Sequence, residues 1–383
     1  MTPHPRVPAD RGAPPFPDPV RTLWLDAEGM PRTLDQARLP FEHVEIRLAS
    51  AEDCAHAIRT MQVRGAPLIG AVGAWGLALA LADDATDAAL ERAHAALAAT
   101  RPTAVNLRWA LDRVRDRVLP LAPAARALAA RAEACAIVEE DVALNRAIGD
   151  HGARLLRPLA RPGRPLQLLT HCNAGRLATV ALGTALAPIY LLHAAGVPLH
   201  VWVDETRPRN QGASLTAWEL ADAGVPHTVI ADNAGGLLMR QGRVDAAIVG
   251  CDRVAANGDV ANKIGTYLKA LAAQDCGIPF WVACPSPTID FAIDDGDAIP
   301  IEARDARELT HAVGLLEEAS RVAEVRLVPA GSAAHNPAFD VTPARLVTGL
   351  VTERGPCAAS REGLASMFPE RVPAARATQA VGG

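Results

Sequence analysis

The chain is almost without lysine. Its basic side chains number 38, yet only Lys263 and Lys269 are lysines, and all the others are arginines. The basic residues form no run, and the formal net charge is −5, so the sequence gives no reason to expect a nucleic-acid partner. With 383 residues, 50% of them hydrophobic, the composition is typical of a soluble globular protein with room for two domains.

Several motifs are also absent. The seven cysteines contain no C-x-x-C pair and no zinc spacing, which argues against a disulfide framework and favours a reducing compartment, the cytoplasm. No Walker A, G-x-G-x-x-G, H-E-x-x-H or G-x-S-x-G motif occurs, so nucleotide hydrolysis, NAD binding and serine hydrolysis lack support. We therefore expect no cofactor and no metal. The apolar stretch 68–82 is broken by glycines and too short to span a bilayer, so we expect no membrane partner.

The order of predicted elements indicates an α/β protein. We predict a smaller, mainly helical N-terminal domain with short strands over 19–157. From Pro165 onward, five apolar strands alternate with helices, which predicts a Rossmann-like, doubly wound parallel sheet in a C-terminal domain over 158–370. The Pro-rich residues 1–18, which lack the apolar core of a secretory signal, and residues 371–383 are predicted to be disordered tails.

Two details of the C-terminal domain follow from local patterns. The segment GDVANKIGTYLKALAAQDCG is predicted to be one helix, with Asp259 as its N-cap. EVRLVPA is predicted to be a further β segment, followed by a C-terminal helical stretch.

Polar clusters follow the predicted strands at their carboxyl ends. They read THCNAG, DETRPRNQG, ADN and CDRVAANGD, in that order along the chain. In open α/β sheets ligands bind outside the carboxyl ends of the strands, and the helices that follow present free N–H groups to anions. The sequence therefore predicts a single binding crevice at this edge of the sheet.

A thiol and a carboxylate stand out within these clusters. Cys172 ends a strand, and a thiol at the start of a helix has a lowered pKa; Gly175 would let the backbone approach a ligand. The alternative is a small buried side chain, as in most free cysteines. Asp252 in an apolar crevice would have a raised pKa and could act as an acid or base. Alternatively, it caps a turn or pairs with Arg253.

Several polar and basic residues could bind a ligand in the same crevice. Lys263 falls in the first turn of the predicted helix, where a compact positive charge suits a phosphate. Arg64, Arg101 and Gln211 could each contact a ligand. Alternatively, either arginine could be an ordinary surface charge, and the Gln211 amide could only satisfy hydrogen bonds of its own turn. Lys269 is interpreted as an ordinary surface residue.

Six motifs together resemble the methylthioribose-1-phosphate isomerase family: RGAPLIG, RPTAVNLRWA, LTHCNAG, ETRPRNQGASLTAWEL, DRVAANGDVANKIGTY and HNPAFDVTP. The resemblance spans roughly residues 20–370. It implies the fold shared by translation initiation factor 2B regulatory subunits and ribose-1,5-bisphosphate isomerases. It also implies an aldose–ketose isomerase of methionine salvage that converts 5-methylthioribose 1-phosphate to 5-methylthioribulose 1-phosphate, and a homodimer whose other partner is this small sugar phosphate.

The resemblance also assigns roles to residues of this chain. It implies that Cys172 and Asp252 are catalytic, and it places substrate contacts on Arg64, Gly65, Ala66, Arg101, Gln211, Asn262 and Lys263. Cys251 stands where an alanine is expected, and Asp204 precedes the ETRP motif, where it could alter the charge of the crevice. Two alternatives stay open: an isomerase of another phosphorylated pentose, such as 5-deoxyribose 1-phosphate or ribose 1,5-bisphosphate, and a non-catalytic regulatory subunit, which we would expect to lack the Cys/Asp pair.

Overall fold

The computed structural model of the protein describes residues 20–101 and 104–372. The predicted tails lie outside this part of the chain, apart from residues 371 and 372, and so does Pro102 beside Arg101. In the described residues a mainly helical N-terminal part precedes a seven-stranded, mainly parallel sheet with helices, which confirms the predicted fold class. The domain boundaries at 19, 157 and 370 stay a prediction.

The N-terminal part combines a small antiparallel sheet with long helices. The strands are β1 (Leu23–Leu25), β2 (Pro31–Leu34) and β3 (Glu45–Arg47). The helices are α1 (Ala51–Arg59), α2 (Ala66–Asp83), α3 (Asp87–Ala98), α4 (Val105–Val118) and α5 (Pro123–Leu156). Ser50 caps α1 by accepting a hydrogen bond from the Asp53 N–H at 3.0 Å.

Helix α2 is the core helix of this part. It is 18 residues long and apolar enough to cross a membrane by length and composition, but 72% of it is buried inside the protein. Its glycines let neighbouring helices approach closely. A Cβ atom at Gly70 would lie 2.9 Å from the carbonyl oxygen of Asn106, and one at Gly73 would lie 2.5 Å from a methyl of Leu107. The helix is therefore longer than the predicted apolar stretch, and its surroundings are those of a packed interior.

The C-terminal part contains the remaining strands and helices. The strands are β4 (Leu166–Thr170), β5 (Leu199–Asp204), β6 (His227–Ile230), β7 (Ala246–Val249), β8 (Arg253–Ala255), β9 (Val260–Lys263), β10 (Phe280–Ala283), β11 (Ile289–Asp290), β12 (His311–Leu316), β13 (Arg321–Arg326), β14 (Phe339–Thr342), β15 (Gly349–Thr352) and β16 (Gly355–Cys357). The helices are α6 (Ala187–Ala194), α7 (Ala217–Asp222, preceded by a π-helical turn, Gly212–Thr216), α8 (Gly235–Arg240), α9 (Thr266–Asp275), α10 (Arg307–Thr310) and α11 (Arg361–Met367).

The main sheet reverses its direction of growth between two central strands. Its order is β16-β15-β10-β7-β4-β5-β6, and every neighbouring pair except β15–β16 is parallel. Strands β5 and β6 extend the sheet to one side of β4, whereas β7, β10 and β15 extend it to the other. In a doubly wound sheet a crevice opens at such a switch point, outside the carboxyl ends of the two strands. The crevice here lies beyond the ends of β4 and β7.

A second, four-stranded sheet corrects one prediction. Its order is β11-β8-β9-β14, and β8 and β9 form an antiparallel hairpin around Asn257 and Gly258, which has a φ of +91°. The prediction of one helix over GDVANKIGTYLKALAAQDCG is therefore wrong in its first half, because Val260–Lys263 is a buried strand and α9 begins only at Thr266. Lys263 ends this strand rather than occupying the first turn of a helix.

The C-terminal stretch contains more β structure than predicted. The EVRLVPA segment contributes to β13, which pairs with β12 as a separate antiparallel hairpin. The following segment was predicted to be helical, but β14, β15 and β16 precede α11. Strand β15 is a buried run of only four residues within the main sheet. A run this short shows no periodicity that separates a strand from a helix.

Candidate active site

All nine residues singled out from the sequence line one cavity at the carboxyl edge of the main sheet. They are Arg64, Gly65, Ala66, Arg101, Cys172, Gln211, Asp252, Asn262 and Lys263. Cys172 follows β4 and Asp252 follows β7, so the sheet's switch point brings the thiol and the carboxyl group to the same cavity. Lys263 enters from the second sheet, and Gly65 and Ala66 stand at the start of α2.

The backbone of Cys172 is held in an unusual conformation. Its φ is +65°, in the left-handed region that L residues other than asparagine and aspartate seldom adopt. Its N–H donates to the hydroxyl of Thr206 at 2.8 Å, and its carbonyl accepts from the hydroxyl of Thr216 at 2.7 Å. Two threonine hydroxyls therefore fix the direction in which the thiol points. Strained residues of this kind concentrate at functional sites.

The protonation of Cys172 differs from the sequence-based expectation. The nearest helical turn is a short 3₁₀ turn at Arg176–Ala178, so the thiol does not lie at the start of an α-helix. Burial raises the pKa of Cys172 above its usual value, although Arg64 and Lys263 act in the opposite direction. The expected lowered pKa is therefore wrong, and the thiol is neutral at neutral pH.

Asp252 has the raised pKa that was predicted. Burial is the main cause, and it outweighs the nearby cations, of which Lys263 has the largest lowering effect. Its alternative partner, Arg253, contacts Asp290 at 3.5 Å. The rival carboxylate, Asp259, does not cap a helix: it accepts from the backbone N–H groups of two distant loops at 2.8 and 3.0 Å, which makes it structural. Asp252 is thus the carboxyl group of the cavity that is suited to acid–base chemistry.

A chain of polar contacts positions Arg64. Its guanidinium donates to the side-chain oxygen of Asn173 and, at 2.9 Å, to the carbonyl oxygen of the same residue. Asn173 in turn donates to the fully buried carboxylate of Glu219 at 2.8 Å, which also accepts from the Tyr190 hydroxyl. A Cβ atom at Gly175 would lie 2.2 Å from that carboxylate. This glycine therefore makes room for Glu219 rather than for a ligand.

Lys263 presents its charge to the cavity from a strand. The side chain is buried, and its ammonium nitrogen lies 4.6 Å from the centre of the Phe339 ring. The two residues face each other across the β9–β14 pair. Burial lowers the pKa of Lys263, while Cys172 acts against this. Asn262 is oriented by a 3.0 Å hydrogen bond to the Thr266 hydroxyl, and the buried side-chain oxygen of Gln211 has no hydrogen-bond partner among the described residues.

The start of α2 supplies backbone donors to the cavity. Gly65 has a φ of +95°, and a Cβ atom there would lie 2.4 Å from the backbone of Ala178, so only glycine fits. Among the residues that the structure describes, no side chain caps the helix at this end. Amide groups at an uncapped helix start carry partial positive charge and bind anions.

Arg304 also lines the cavity, although no sequence motif singled it out. Its Nε lies 2.9 Å from the Glu302 carboxylate, which is also 3.4 Å from Arg101. The cavity is therefore bordered by four cationic side chains, those of Arg64, Arg101, Lys263 and Arg304.

A buried charged network adjoins the cavity through His171 and corrects two interpretations of the sequence. Lys269 is buried, not on the surface, and its ammonium lies 3.2 Å from the carboxylate of Asp204. The same carboxylate is 2.8 Å from Nδ1 of His171, whose Nε2 donates to the carbonyl of Ile264 at 2.8 Å. A carbonyl only accepts, so Nε2 is the donor in that bond. Asp204 is thus paired directly with the Lys269 ammonium rather than with a group of the crevice.

His171, Asp204 and Asp232 could offer three ligand atoms to a metal ion, since these atoms lie within 4.8 Å of one another. The Lys269 ammonium, however, already supplies a positive charge to Asp204 and donates to the Asp232 carbonyl. The Asp232 carboxylate also accepts from the backbone N–H groups of Thr206 and Arg207 at 2.7 Å. A bound cation would have to compete with these donors and with the charge of Lys269, so the set does not fit a metal ion.

The fold and the cavity define a Rossmann-like α/β protein with a buried cationic site. The chain belongs to the initiation factor 2 subunit family, whose model matches residues 62–359. Within that family it is 61% identical over 355 residues to a methylthioribose-1-phosphate isomerase of Rhodospirillum centenum, an alignment that covers 92% of this chain and 94% of the relative.

Solved structures give the same picture. The fold is similar to that of 5-methylthioribose 1-phosphate isomerase from Pyrococcus horikoshii, with 39% identity, a TM-score of 0.80, and coverage of 92% of this chain and 96% of the other. It is also similar to translation initiation factor eIF-2B, subunit delta, from A. fulgidus, with 36% identity, a TM-score of 0.76, and coverage of 91% and 99%.

Replacing Lys269 by methionine should destabilise the protein by about 3–5 kcal/mol, because it leaves the buried Asp204 carboxylate without its ammonium partner. Urea denaturation of purified Lys269→Met would measure the loss. The control is Glu370→Gln, which breaks an exposed pair with Arg354 and should cost no more than about 1 kcal/mol. If the free energy of unfolding falls by an equally small amount in both variants, the network does not contribute to stability as described.

Proposed function

We propose that the protein is an aldose–ketose isomerase that converts 5-methylthioribose 1-phosphate to 5-methylthioribulose 1-phosphate in methionine salvage. One observation carries the proposal: a neutral thiol, Cys172, and a carboxyl group with a raised pKa, Asp252, face one cationic cavity at the switch point of the sheet. The close relatives named methylthioribose-1-phosphate isomerase support the substrate.

The charge of the cavity supports a substrate with one phosphate group. Four cationic side chains border it, and the Glu302 carboxylate pairs with two of them. Two positive charges therefore remain when Asp252 is ionised, and three remain when Asp252 carries its proton. A phosphate monoester carries about two negative charges at neutral pH. A bisphosphate would carry about twice as many and would leave the filled cavity negative. The balance favours a monophosphate over ribose 1,5-bisphosphate.

The start of α2 offers an anchor for the phosphate. Gly65 and Ala66 contribute the uncapped backbone there, and Arg64, Arg101 and Lys263 surround it. We propose that these groups bind the phosphate, and that Gln211 and Asn262 contact the sugar hydroxyls. The apolar side chains of the same cavity, Met61, Pro285 and Phe339 among them, could accept a methylthio group.

The chemistry of the substrate explains the need for an acid. Because its anomeric oxygen carries the phosphate, the ring cannot open as in a free sugar. The bond between C1 and the ring oxygen must break while a proton is delivered to that oxygen, and a hydrogen must then move from C2 to C1. We propose that Asp252, in its protonated form, supplies the proton to the ring oxygen, and that the carboxylate left by this transfer can accept the proton that the C2 hydroxyl releases.

Two routes are open for the hydrogen that moves from C2 to C1. In the first, a base removes it as a proton, an enediolate-like intermediate forms, and C1 is reprotonated; Cys172 is then the partner of Asp252. In the second, it moves directly as a hydride while the C2 hydroxyl loses its proton, and the neutral thiol of Cys172 is part of a dry wall. The raised pKa of Cys172 suits a proton donor or a wall better than a permanently ionised base.

The non-catalytic alternative finds less support. A regulatory subunit has no need for an acid and a thiol at one cavity, yet this chain places both there. We also propose a homodimer, on the basis of the family likeness, and a cytoplasmic location, which the seven free cysteines support because a reducing compartment keeps thiols unpaired.

Turnover on a panel of 1-phosphorylated pentoses that differ at C5 tests the proposed function. Loss of the aldose is followed by NMR for the 5-methylthio, 5-deoxy and 5-phospho compounds. We expect the highest kcat/KM for the methylthio compound and the lowest for the bisphosphate, because of the charge balance. If the protein converts none of the three compounds, the result would support the regulatory alternative instead.

Replacing Asp252 by asparagine should lower kcat at least about 100-fold with the fold intact, because the amide cannot donate the proton. If the protonated acid is the active form, wild-type turnover falls as pH rises through its pKa, and burial places that fall above the usual carboxyl value of 3.8. Asp252→Asn should lack this limb of the pH profile. The exposed Asp275→Asn variant serves as control; near-normal turnover of Asp252→Asn would remove this residue from the mechanism.

Replacing Cys172 by serine separates the two routes. Full activity would exclude acid–base chemistry at the thiol, whereas a fall of at least about tenfold would support it. The same reaction run in D₂O gives an independent readout, since solvent deuterium enters C1 only by proton transfer. Cys276→Ser, at the end of α9, is the control for loss of a thiol.

A further inference from the structure

We propose that Arg304 is a further ligand of the substrate's phosphate, alongside Arg101 and Lys263. The inference rests on the proposed function, because it requires a phosphorylated substrate. Arg304 lies in the segment before α10, its side chain is only 9% exposed, and it lines the cavity that contains Asp252 and Lys263.

The hydrogen-bond donors of Arg304 are poorly satisfied by the protein. Its Nη1 lies 2.8 Å from the sulfur of Met61, and a thioether is a weak acceptor. Its Nε is close to Glu302, yet it makes no hydrogen bond of acceptable direction to any described residue. A buried guanidinium without good acceptors is costly. An oxygen-rich anion in the cavity would supply the acceptors that Met61 does not.

The positive charges around Arg304 also favour the binding of an anion. Burial lowers the pKa of Arg304, and Arg101 is the next largest cause. Burial also lowers the pKa of Lys263, and Arg304 contributes to that effect as well. The three cations therefore lie close enough to repel one another, while the Glu302 carboxylate is shared between two of them. A phosphate dianion placed among them would offset this repulsion in a site of low dielectric.

A purely structural role is the competing explanation. Arg304 also lies 3.7 Å from Glu308, so it could simply tie its own segment together through two carboxylates. The two explanations differ in what removal of Glu302 does. If Arg304 serves only that ion pair, Glu302→Gln should cause the same defect as Arg304→Gln. If Arg304 binds phosphate, Glu302→Gln leaves the ligand in place.

Steady-state kinetics on 5-methylthioribose 1-phosphate test this difference. We expect Arg304→Gln to raise KM by about 10- to 100-fold, the range of one charge-assisted hydrogen bond, with kcat changed by less than about threefold. Arg304→Lys keeps the positive charge but loses the planar guanidinium, so its KM should lie between those of wild type and Arg304→Gln. Glu302→Gln removes a negative charge beside two of the cations and should not raise KM. Arg307→Gln, which breaks an exposed pair with Glu324, should leave KM within about threefold of wild type.

Titration of the free enzyme with inorganic phosphate, followed by calorimetry, separates this inference from the proposed function. Phosphate should bind at least about tenfold more weakly to Arg304→Gln than to wild type, whether or not the sugar phosphate is isomerised. If wild type binds phosphate this way but turns over no pentose, only the proposed function fails. If Arg304→Gln matches wild type in KM and phosphate affinity, or if Glu302→Gln reproduces its loss, Arg304 is not a phosphate ligand. Circular dichroism establishes whether each variant is folded. If Arg304→Gln is not folded, the KM and phosphate affinity of Arg304→Lys are compared with wild type instead.

Discussion

The pairing of β4 with β7 is the constraint on which the site depends. The chain places β5 and β6 between these strands in sequence, but the sheet places them elsewhere and leaves β4 and β7 as neighbours. Adjacent strands lie about 5 Å apart, so the residues that follow them can serve one small molecule. With one further strand inserted between them, Cys172 and Asp252 would start about 10 Å apart. The order of the seven strands, rather than any local motif, thus brings Cys172 and Asp252 to one cavity.

Positive charge is treated differently in the cavity and in the adjoining buried network. In the cavity, Arg64 is held by a neutral asparagine and Lys263 by an aromatic ring, so their charges are oriented without being cancelled. In the network, Lys269 is matched directly by Asp204. The two lysines of the chain therefore have opposite tasks, one available to a ligand and one committed to the fold. Fixed charges that do not need to reorganise when a ligand arrives are the usual basis of electrostatic binding and catalysis.

The sequence sufficed for the fold class, because the alternation of strands and helices along the chain is visible in it, and for nine of the residues that line the cavity, because they fall within recognisable motifs. It did not suffice for partnerships between distant elements. Nothing local distinguishes the buried Lys269 from a surface lysine, since its partner Asp204 belongs to another strand. Arg304 follows no strand end and so carried no signal. The hairpin at Asn257 and Gly258 is different: an Asn-Gly pair favours a tight β-turn, and the signal was present but outweighed by the helical pattern that begins at Thr266.

The left-handed backbone of Cys172 has a cost that the rest of the site must offset. An L side chain in this conformation is disfavoured by about 1–2 kcal/mol, a penalty that glycine would escape. Selection for thermostability alone would therefore tend to replace this cysteine. The hydrogen bonds from the two threonines help to offset this cost, so substitutions intended to stabilise the protein should leave Cys172, Thr206 and Thr216 unchanged.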